Sequence, residues 1–307
     1  MRSSILLLFF LSKLVHVLAS TAVIVPLYSL PTSSQWTTIE SSAAQYPGLT
    51  FIIIIDVVNG PVNSTPTASW IAGMNALNSY SNIITVGYVY TSYDARAISD
   101  VETDVSNWAG WPAGARPMGI FYDETAVPDN VSYYSEITAY ARSLFPNGLV
   151  ILNPGAPPST TGYFSFVDQV MIHEEPYSQY TKAGNAAVPT GVPFSQFSLI
   201  VYSLPSTGST LQNLVTTMVS EGYGSIYLTN AGDSYNSLGS DWNSFLSLVY
   251  SANTPQTATS SSTTTSTSTS SKHKTTSTTT TTTSRKRTTS SSSSHTSTTT
   301  TRRRHGG

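Results

Sequence analysis

From Ala22 onward, short apolar runs alternate with longer stretches whose apolar positions recur at helical spacing. The runs Ala22–Val25, Thr50–Ile55, Ile83–Tyr88, Gly119–Asp123, Leu149–Asn153, Val167–His173, Leu199–Val201 and Ser225–Thr229 read as strands. The four consecutive isoleucines Ile52 to Ile55 are too apolar for a half-exposed strand and fit one buried on both faces. Helices are predicted over Trp36–Tyr46, Ser69–Tyr80, Ile98–Trp108, Val131–Phe145, Leu211–Glu221 and Trp242–Ala252. Pro157, Pro158, Pro189 and Pro193 interrupt the chain where a fifth and a sixth helix are due, so those two are expected to be poor or missing. Eight strands alternating with helices imply parallel βαβ units. The count predicts an α/β fold, a single (β/α)8 TIM barrel, over an open doubly wound sheet.

In such a barrel the carboxyl ends of the strands carry the chemistry. Here they present Tyr28, then Asp56 and Asn59, Tyr88 and Tyr90, Asp123 and Glu124, Asn153, Glu174 and Glu175, Tyr202, and Asn230. That ring is rich in tyrosine, asparagine and carboxylates and poor in lysine and arginine. Aromatic faces stack on the apolar faces of sugar rings, while amides and carboxylates bond hydroxyls. A phosphate site would show a glycine-rich loop or basic residues instead. The ring therefore points to a sugar, with Tyr28, Asp56, Asn59, Tyr88, Tyr90, Asn153, Glu175, Tyr202 and Asn230 as substrate-binding candidates.

Glycoside hydrolysis needs one carboxyl group to protonate the leaving oxygen and a second to act as nucleophile or to activate water. Two strand ends supply paired acids, Asp123 with Glu124 and Glu174 with Glu175, and the catalytic candidates are Asp123, Glu124 and Glu174. The bland alternatives are that Asp123 or Glu124 caps the next helix, and that Glu174 and Glu175 form a solvated pair before Pro176. The helix starts later, at Asp129-Asn130, which already offers a cap. His173 is the sole histidine between residues 20 and 255, so a histidine-rich metal site cannot be built and no metal or cofactor is expected. It reads as a packed residue. Asp94, Asp100, Glu102 and Asp104 read as a solvated helix face, Tyr163 to Phe166 as core, and Trp108 and Trp111 as core or sugar platform.

Composition divides the chain into residues 1–19, 20–255 and 256–307. The first part carries Arg2, an apolar stretch from Ile5 to Leu11 and small or apolar residues at Val17 to Ala19, the pattern of a secretory signal peptide. A signal anchor is the alternative, although the run is short of the about 20 residues of a membrane span. The last part is serine and threonine almost throughout, too poor in apolar residues to offset ordering, and is expected to be a disordered, O-glycosylated stalk with a basic end. All sixteen acids lie in the middle part against four bases, a net of −12, whereas the last part holds eight bases and no acid. An acidic domain disfavours nucleic acid and suits neutral or cationic partners. With no cysteine, stability must come from the core. Asn63 and Asn130 head sequons and are candidate glycosylation sites. A secreted monomer at the cell surface or wall, with no transmembrane segment after processing, is expected.

Six motifs in order carry a family resemblance: Ile24 to Tyr28 with Trp36, Asn59-Gly60-Pro61, Val86 to Tyr93 with Arg96, Gly119 to Glu124, Asn153-Pro154-Gly155, and Asp168 with Ile172 to Glu174. From about Val23 to Tyr250 the chain resembles the spherulin-4-like, spherulation-specific family of secreted cell-surface proteins. The resemblance implies a barrel glycoside hydrolase whose characterised relatives are endo-acting α-1,4-N-acetylgalactosaminidases, cutting a galactosamine-containing exopolysaccharide. It places the functional acids on Asp123, Glu124 and Glu174. By analogy with barrel enzymes that cleave α-linked galactose-type sugars, Asp123 is the nucleophile and Glu174 the acid/base. The chain departs from the family pattern at Asp56-Val57, where Asn-Pro is usual, and at His173 and Glu175, which replace an aromatic and a glycine; these changes are expected to add polar groups near the pocket. A non-catalytic surface or spore-coat protein that binds wall glycan through the same pocket is the competing reading.

Overall fold

The computed structural model describes residues 20–183, 188–206 and 208–254. The expected signal peptide and stalk lie outside the described residues. Eight parallel strands close on themselves in chain order: β1 Ala22–Leu27, β2 Phe51–Ile55, β3 Ile83–Tyr90, β4 Gly119–Asp123, β5 Leu149–Leu152, β6 Gln169–Pro176, β7 Phe197–Tyr202 and β8 Ser225–Leu228. β1 pairs with both β2 and β8, which seals the barrel. The helices are α1 Ser34–Gln45, α2 Ala68–Asn78, α3 Ile98–Ala109, α4 Val131–Leu144, α5 Tyr177–Ala183, α6 Gly208–Glu221 and α7 Trp242–Asn253. The expected (β/α)8 class holds. After β5 the helix is replaced by a single 3-10 turn, Gly162–Ser165, and α5 is short, as the prolines in both connections require.

The isoleucine run of β2 is fully buried, sandwiched between the barrel interior and the helical layer. Trp108 and Trp111 are core, with centroids 4.6 Å apart, and Tyr163 and Phe164 are also buried. Gly87 shows why β3 needs a glycine. A Cβ there would lie 2.7 Å from the Trp108 indole, which packs flat on the strand. From that position Trp108 Nε1 donates to the Tyr88 carbonyl at 2.9 Å. The packing of one helix thus sets the end of β3, where the first polar groups of the mouth begin. β6 runs farther than the apolar pattern indicates, through Glu174, Glu175 and Pro176, with an irregular register against β7 between Met171 and His173. Glu174 is accordingly held within a strand rather than in a loop.

Candidate active site

Asp123 closes β4 at the carboxyl end of the barrel. Its Oδ2 accepts from the Tyr88 hydroxyl at 2.6 Å and its Oδ1 from Asn153 Nδ2 at 2.7 Å. The same nitrogen donates to Glu174 Oε2 at 2.5 Å, and the Tyr235 hydroxyl donates to Glu174 Oε1 at 2.5 Å. Two bonds from one nitrogen, laid end to end, put Asp123 Oδ1 and Glu174 Oε2 no more than about 5.2 Å apart. Asp123 and Glu174 therefore share one end of the barrel, with Tyr88 and Asn153 between and beside them.

The Asn153-Pro154-Gly155 sequence explains how one amide serves both acids. The Asn153 backbone is pinned to the end of β4, its N–H donating to the Tyr122 carbonyl at 2.8 Å and its carbonyl accepting from Thr125 at 3.0 Å. Gly155 adopts φ 64°, a left-handed conformation that favours glycine, and its N–H donates to Asn153 Oδ1 at 2.9 Å. With Oδ1 so occupied, Nδ2 must face the carboxylates. The Gly155 carbonyl then accepts from the Glu174 N–H at 3.1 Å, tying β6 to the same turn.

Burial pushes the carboxyl of Asp123 above the usual aspartate range; the Tyr88 hydroxyl, the Glu124 N–H and the Asn153 amide pull it back. Burial also raises Glu174, and the charge of Asp123 raises it further, against the donors Tyr235 and Asn153. Three donors face Asp123 and two face Glu174, so Asp123 is the better supported anion when the pair holds one proton. Burial, then the charges of Asp123 and Glu174, hold the Tyr28 hydroxyl well above its ordinary value. Burial and Asp123 do the same to Tyr88, and burial and Glu174 to Tyr235. All three are donors across the neutral range. Tyr28 joins them edge to face, 5.7 Å from Tyr88 and 5.8 Å from Tyr235 between centroids. Asp56 is also raised, first by burial and in part by the charge of Asp123, while Gly60 donates to its Oδ1 at 2.7 Å.

The mouth is strained on this side. Among the described residues, all eight non-glycine positions with positive φ lie on loops that leave strand ends: Asn59, Val62, Ser92, Tyr93, Asp94, Glu124, Ser203 and Tyr235. Left-handed backbone costs an L-residue about 1–2 kcal/mol, and such strain gathers where function requires it. Glu124, at φ 51°, turns its carbonyl onto Thr91 Oγ1 at 2.8 Å and the Tyr93 N–H at 2.7 Å, while its charge raises both Tyr88 and Tyr93.

The structure brings together Tyr28, Asp56, Tyr88, Asp123, Glu124, Asn153 and Glu174. Tyr202 stands behind them, 6.5 Å from Tyr235 between ring centroids. Other candidates are placed differently. Strand alternation turns Glu175 from Glu174; it pairs with His173 Nδ1 at 2.8 Å, and that ring packs on Tyr180. The amide of Asn230 is engaged in both directions with Ser240. Tyr90 faces the Arg96 guanidinium, 4.0 Å from its centroid, and Arg96 is bound to Asp104 at 2.9 Å, so that acid is paired rather than merely solvated. Asn59 lies exposed on the β2 loop. Asn63 is exposed too, whereas Asn130 caps α4, its Oδ1 accepting from Tyr133 and its Nδ2 donating to Asp94. Tyr235 went unnoticed in the sequence. It sits in the β8–α7 loop with no periodicity to mark it, and Gln35, 200 residues earlier, holds its carbonyl at 3.1 Å. Among the described residues no helix is long and apolar enough to cross a membrane.

Comparison with known proteins agrees with this fold. Residues 22–249 match the spherulation-specific family 4. The chain is 32% identical over 256 residues to Spherulin-4 of Physarum polycephalum, covering 78% of this chain and 74% of that protein. The crystal structure of Aspergillus clavatus Sph3 in complex with GalNAc superposes with a TM-score of 0.70 at 28% identity, over 76% of this chain and 99% of that one.

Proposed function

The chain belongs to the spherulation-specific family 4, and on that premise we propose that it is a secreted or wall-associated glycoside hydrolase that cuts polysaccharide containing galactosamine or galactose. The observation that carries the reading is the pair Asp123 and Glu174, two buried carboxyls bridged by one amide and within about 5.2 Å of each other. That upper limit favours the retaining mechanism, whose carboxyls stand about 5–5.5 Å apart, over the roughly 6.5–9.5 Å gap that admits an inverting water. GalNAc in the related Sph3 structure supports an amino sugar as the unit bound.

In this reading the Asp123 carboxylate attacks the anomeric carbon while the Glu174 proton passes to the glycosidic oxygen, which leaves as the hydroxyl of the released chain. The electrons of the broken C–O bond stay on that oxygen. Glu174, now ionised, then takes a proton from water. The hydroxide so generated attacks the anomeric carbon, the ester to Asp123 breaks, and both residues return to their starting states. Tyr88 holds Asp123 in place and ionised. Tyr235 and Asn153 hold Glu174 facing it. Glu124 lies beside them on the mouth as a hydrogen-bond acceptor for substrate hydroxyl or ammonium groups.

The test is cleavage of a panel of wall polysaccharides by the purified protein and by Asp123→Asn and Glu174→Gln. Release of reducing ends by the wild type, lost by orders of magnitude in both folded variants, is expected. A protein that binds these glycans and cuts none, or a folded variant that cuts at the wild-type rate, overturns the assignment.

A further inference from the structure

Among the described residues, six of the seven large apolar side chains left exposed are Leu30, Val58, Val62, Tyr93, Val127 and Val131. All six lie on the loops that leave β1 to β4 or at the start of α4; the described residues of the loops after β5 to β8 have none. Exposed large apolar side chains are therefore gathered on the loops of the first four strands. Among these six a single residue is aromatic, Tyr93, and it is 60% exposed.

The way Tyr93 is held excludes accidental exposure. Ser92, Tyr93 and Asp94 take φ values of 50°, 55° and 67°, three consecutive left-handed residues none of which is glycine. The last two are fixed from outside the loop, and the Ser92 carbonyl accepts from the Ala95 N–H at 3.0 Å within it. The Tyr93 N–H donates to the Glu124 carbonyl at 2.7 Å, and Asp94 Oδ2 accepts from Asn130 Nδ2 at 2.9 Å. Thr91 Oγ1 donates to the carbonyls of Asp123 and Glu124 at 2.9 and 2.8 Å. Arg96 closes the turn, its N–H donating to the Thr91 carbonyl at 3.3 Å and its Nη1 to that of Tyr90 at 2.7 Å. The loop that bears Tyr93 is thus built on the two residues that follow the β4 core, the catalytic Asp123 and its neighbour Glu124. With its backbone so anchored, Tyr93 has only its two side-chain torsions to order when a ligand covers it, and its free face offers apolar area to the C–H face of a pyranose.

We propose that Tyr93 is a stacking platform for a sugar unit next to the one that is cleaved, selecting a polymer chain that runs out over the β1–β4 side of the mouth. This rests on the hydrolase reading and extends it to a second subsite. The hydroxyl of Tyr93 is raised by burial and then by the charges of Glu124, Asp123 and Glu174 in that order. The Tyr93 N–H bond to the Glu124 carbonyl, at 2.7 Å, sets the residue beside the end of β4, next to the cutting pair.

The experiment compares wild type, Tyr93→Ala, Tyr93→Phe and Tyr93→Trp on α-1,4-linked galactosamine oligosaccharides of graded length. For the wild type, kcat/KM rises with length. In Tyr93→Ala the ratio of long to short falls about tenfold, whereas Phe and Trp keep it. An unchanged ratio in Tyr93→Ala overturns the platform while leaving the hydrolase reading intact. If the wild type cuts no glycan, the hydrolase reading fails by itself, and retention of the same oligosaccharides on immobilised protein decides the platform. Weaker retention by Tyr93→Ala upholds it; equal retention, or none by either protein, overturns it. A concentration-dependent dimer abolished by Tyr93→Ala also overturns it, since the ring would then serve a second copy.

Discussion

Asp123 and Glu174 share one donor: Asn153 Nδ2 lies 2.7 Å from the first carboxylate and 2.5 Å from the second. Two acids buried this close cannot both ionise cheaply, and a shared amide lowers the cost of the first charge while keeping the second group within reach of it. The pair is therefore set to hold one proton between two carboxyls. That is the state a double displacement starts from.

Removing the bridge tests this. Asn153→Ala takes a donor from both acids, so both are expected to titrate higher, and both limbs of the kcat/KM profile should move to higher pH. The rate at the optimum should fall about 10–100-fold, the worth of a hydrogen bond to a charged group. A profile that drops without moving would show that Asn153 positions substrate rather than tuning the acids.

Tyr235→Phe is the more selective change, because its hydroxyl touches Glu174 and its ring keeps its contacts with Tyr28 and Tyr202. Here only the alkaline limb, set by the acid, should move up, with a rate loss of about tenfold. Movement of the acid limb as well would mean that the roles of Asp123 and Glu174 are exchanged or shared.

The raised carboxyls also bear on stability. Glu174 holds its proton more tightly folded than unfolded, so its folded state is favoured below the unfolded carboxylate range and loses that advantage as pH rises through the folded value. Glu174→Gln removes the penalty. It should melt higher than wild type at pH 8, by about 2–4 °C for each kcal/mol relieved, and the difference should close as the pH is lowered to 4. A gap that stays constant between those pH values would trace the effect to packing.

Legibility in the sequence followed the range of the forces involved. The barrel was readable because eight apolar runs and the helical spacing between them are local, as the buried isoleucines of β2 show. Asp123 and Glu174 were readable because carboxylates that end apolar runs conflict with burial and call for a reason. Three things were hidden. Glu175 pairs with His173 across the other face of β6, and the irregular register that sets the course of that strand cannot be seen in an apolar pattern. Asn230 is absorbed by Ser240, ten residues away in a loop. Tyr235 reaches Glu174 while Gln35 holds its backbone, a pairing across 200 residues that no local window contains.

The serine- and threonine-rich segment is expected to serve retention rather than folding. A protein ending at residue 255 should keep its melting temperature and its activity on soluble glycan, yet wash more readily from the cell surface. Cell fractionation of the full and shortened chains checks this. Equal retention would place the anchoring on the barrel itself, and loss of the folded state would make the segment part of the domain.

The nucleophile and the acid are best told apart by chemical rescue. Asp123→Ala removes the attacking carboxylate and leaves a space that a small anion can enter, while Glu174 still protonates the leaving oxygen. With an activated aryl glycoside and azide, the anion should attack the anomeric carbon directly and give a glycosyl azide of inverted configuration. Glu174→Ala leaves Asp123 to form the glycosyl ester, and the activated leaving group no longer needs a proton. Azide then resolves the ester in place of water, with no general base required, and the product should keep the configuration of the substrate. The same reagent thus yields opposite anomers from the two variants, and proton NMR of the anomeric signal distinguishes them. Products of one configuration from both variants would rule out Asp123 as nucleophile with Glu174 as acid. A retained azide from Asp123→Ala with an inverted one from Glu174→Ala would reverse the two roles, making Glu174 the nucleophile and the Asn153 bridge a support for the opposite direction of proton transfer.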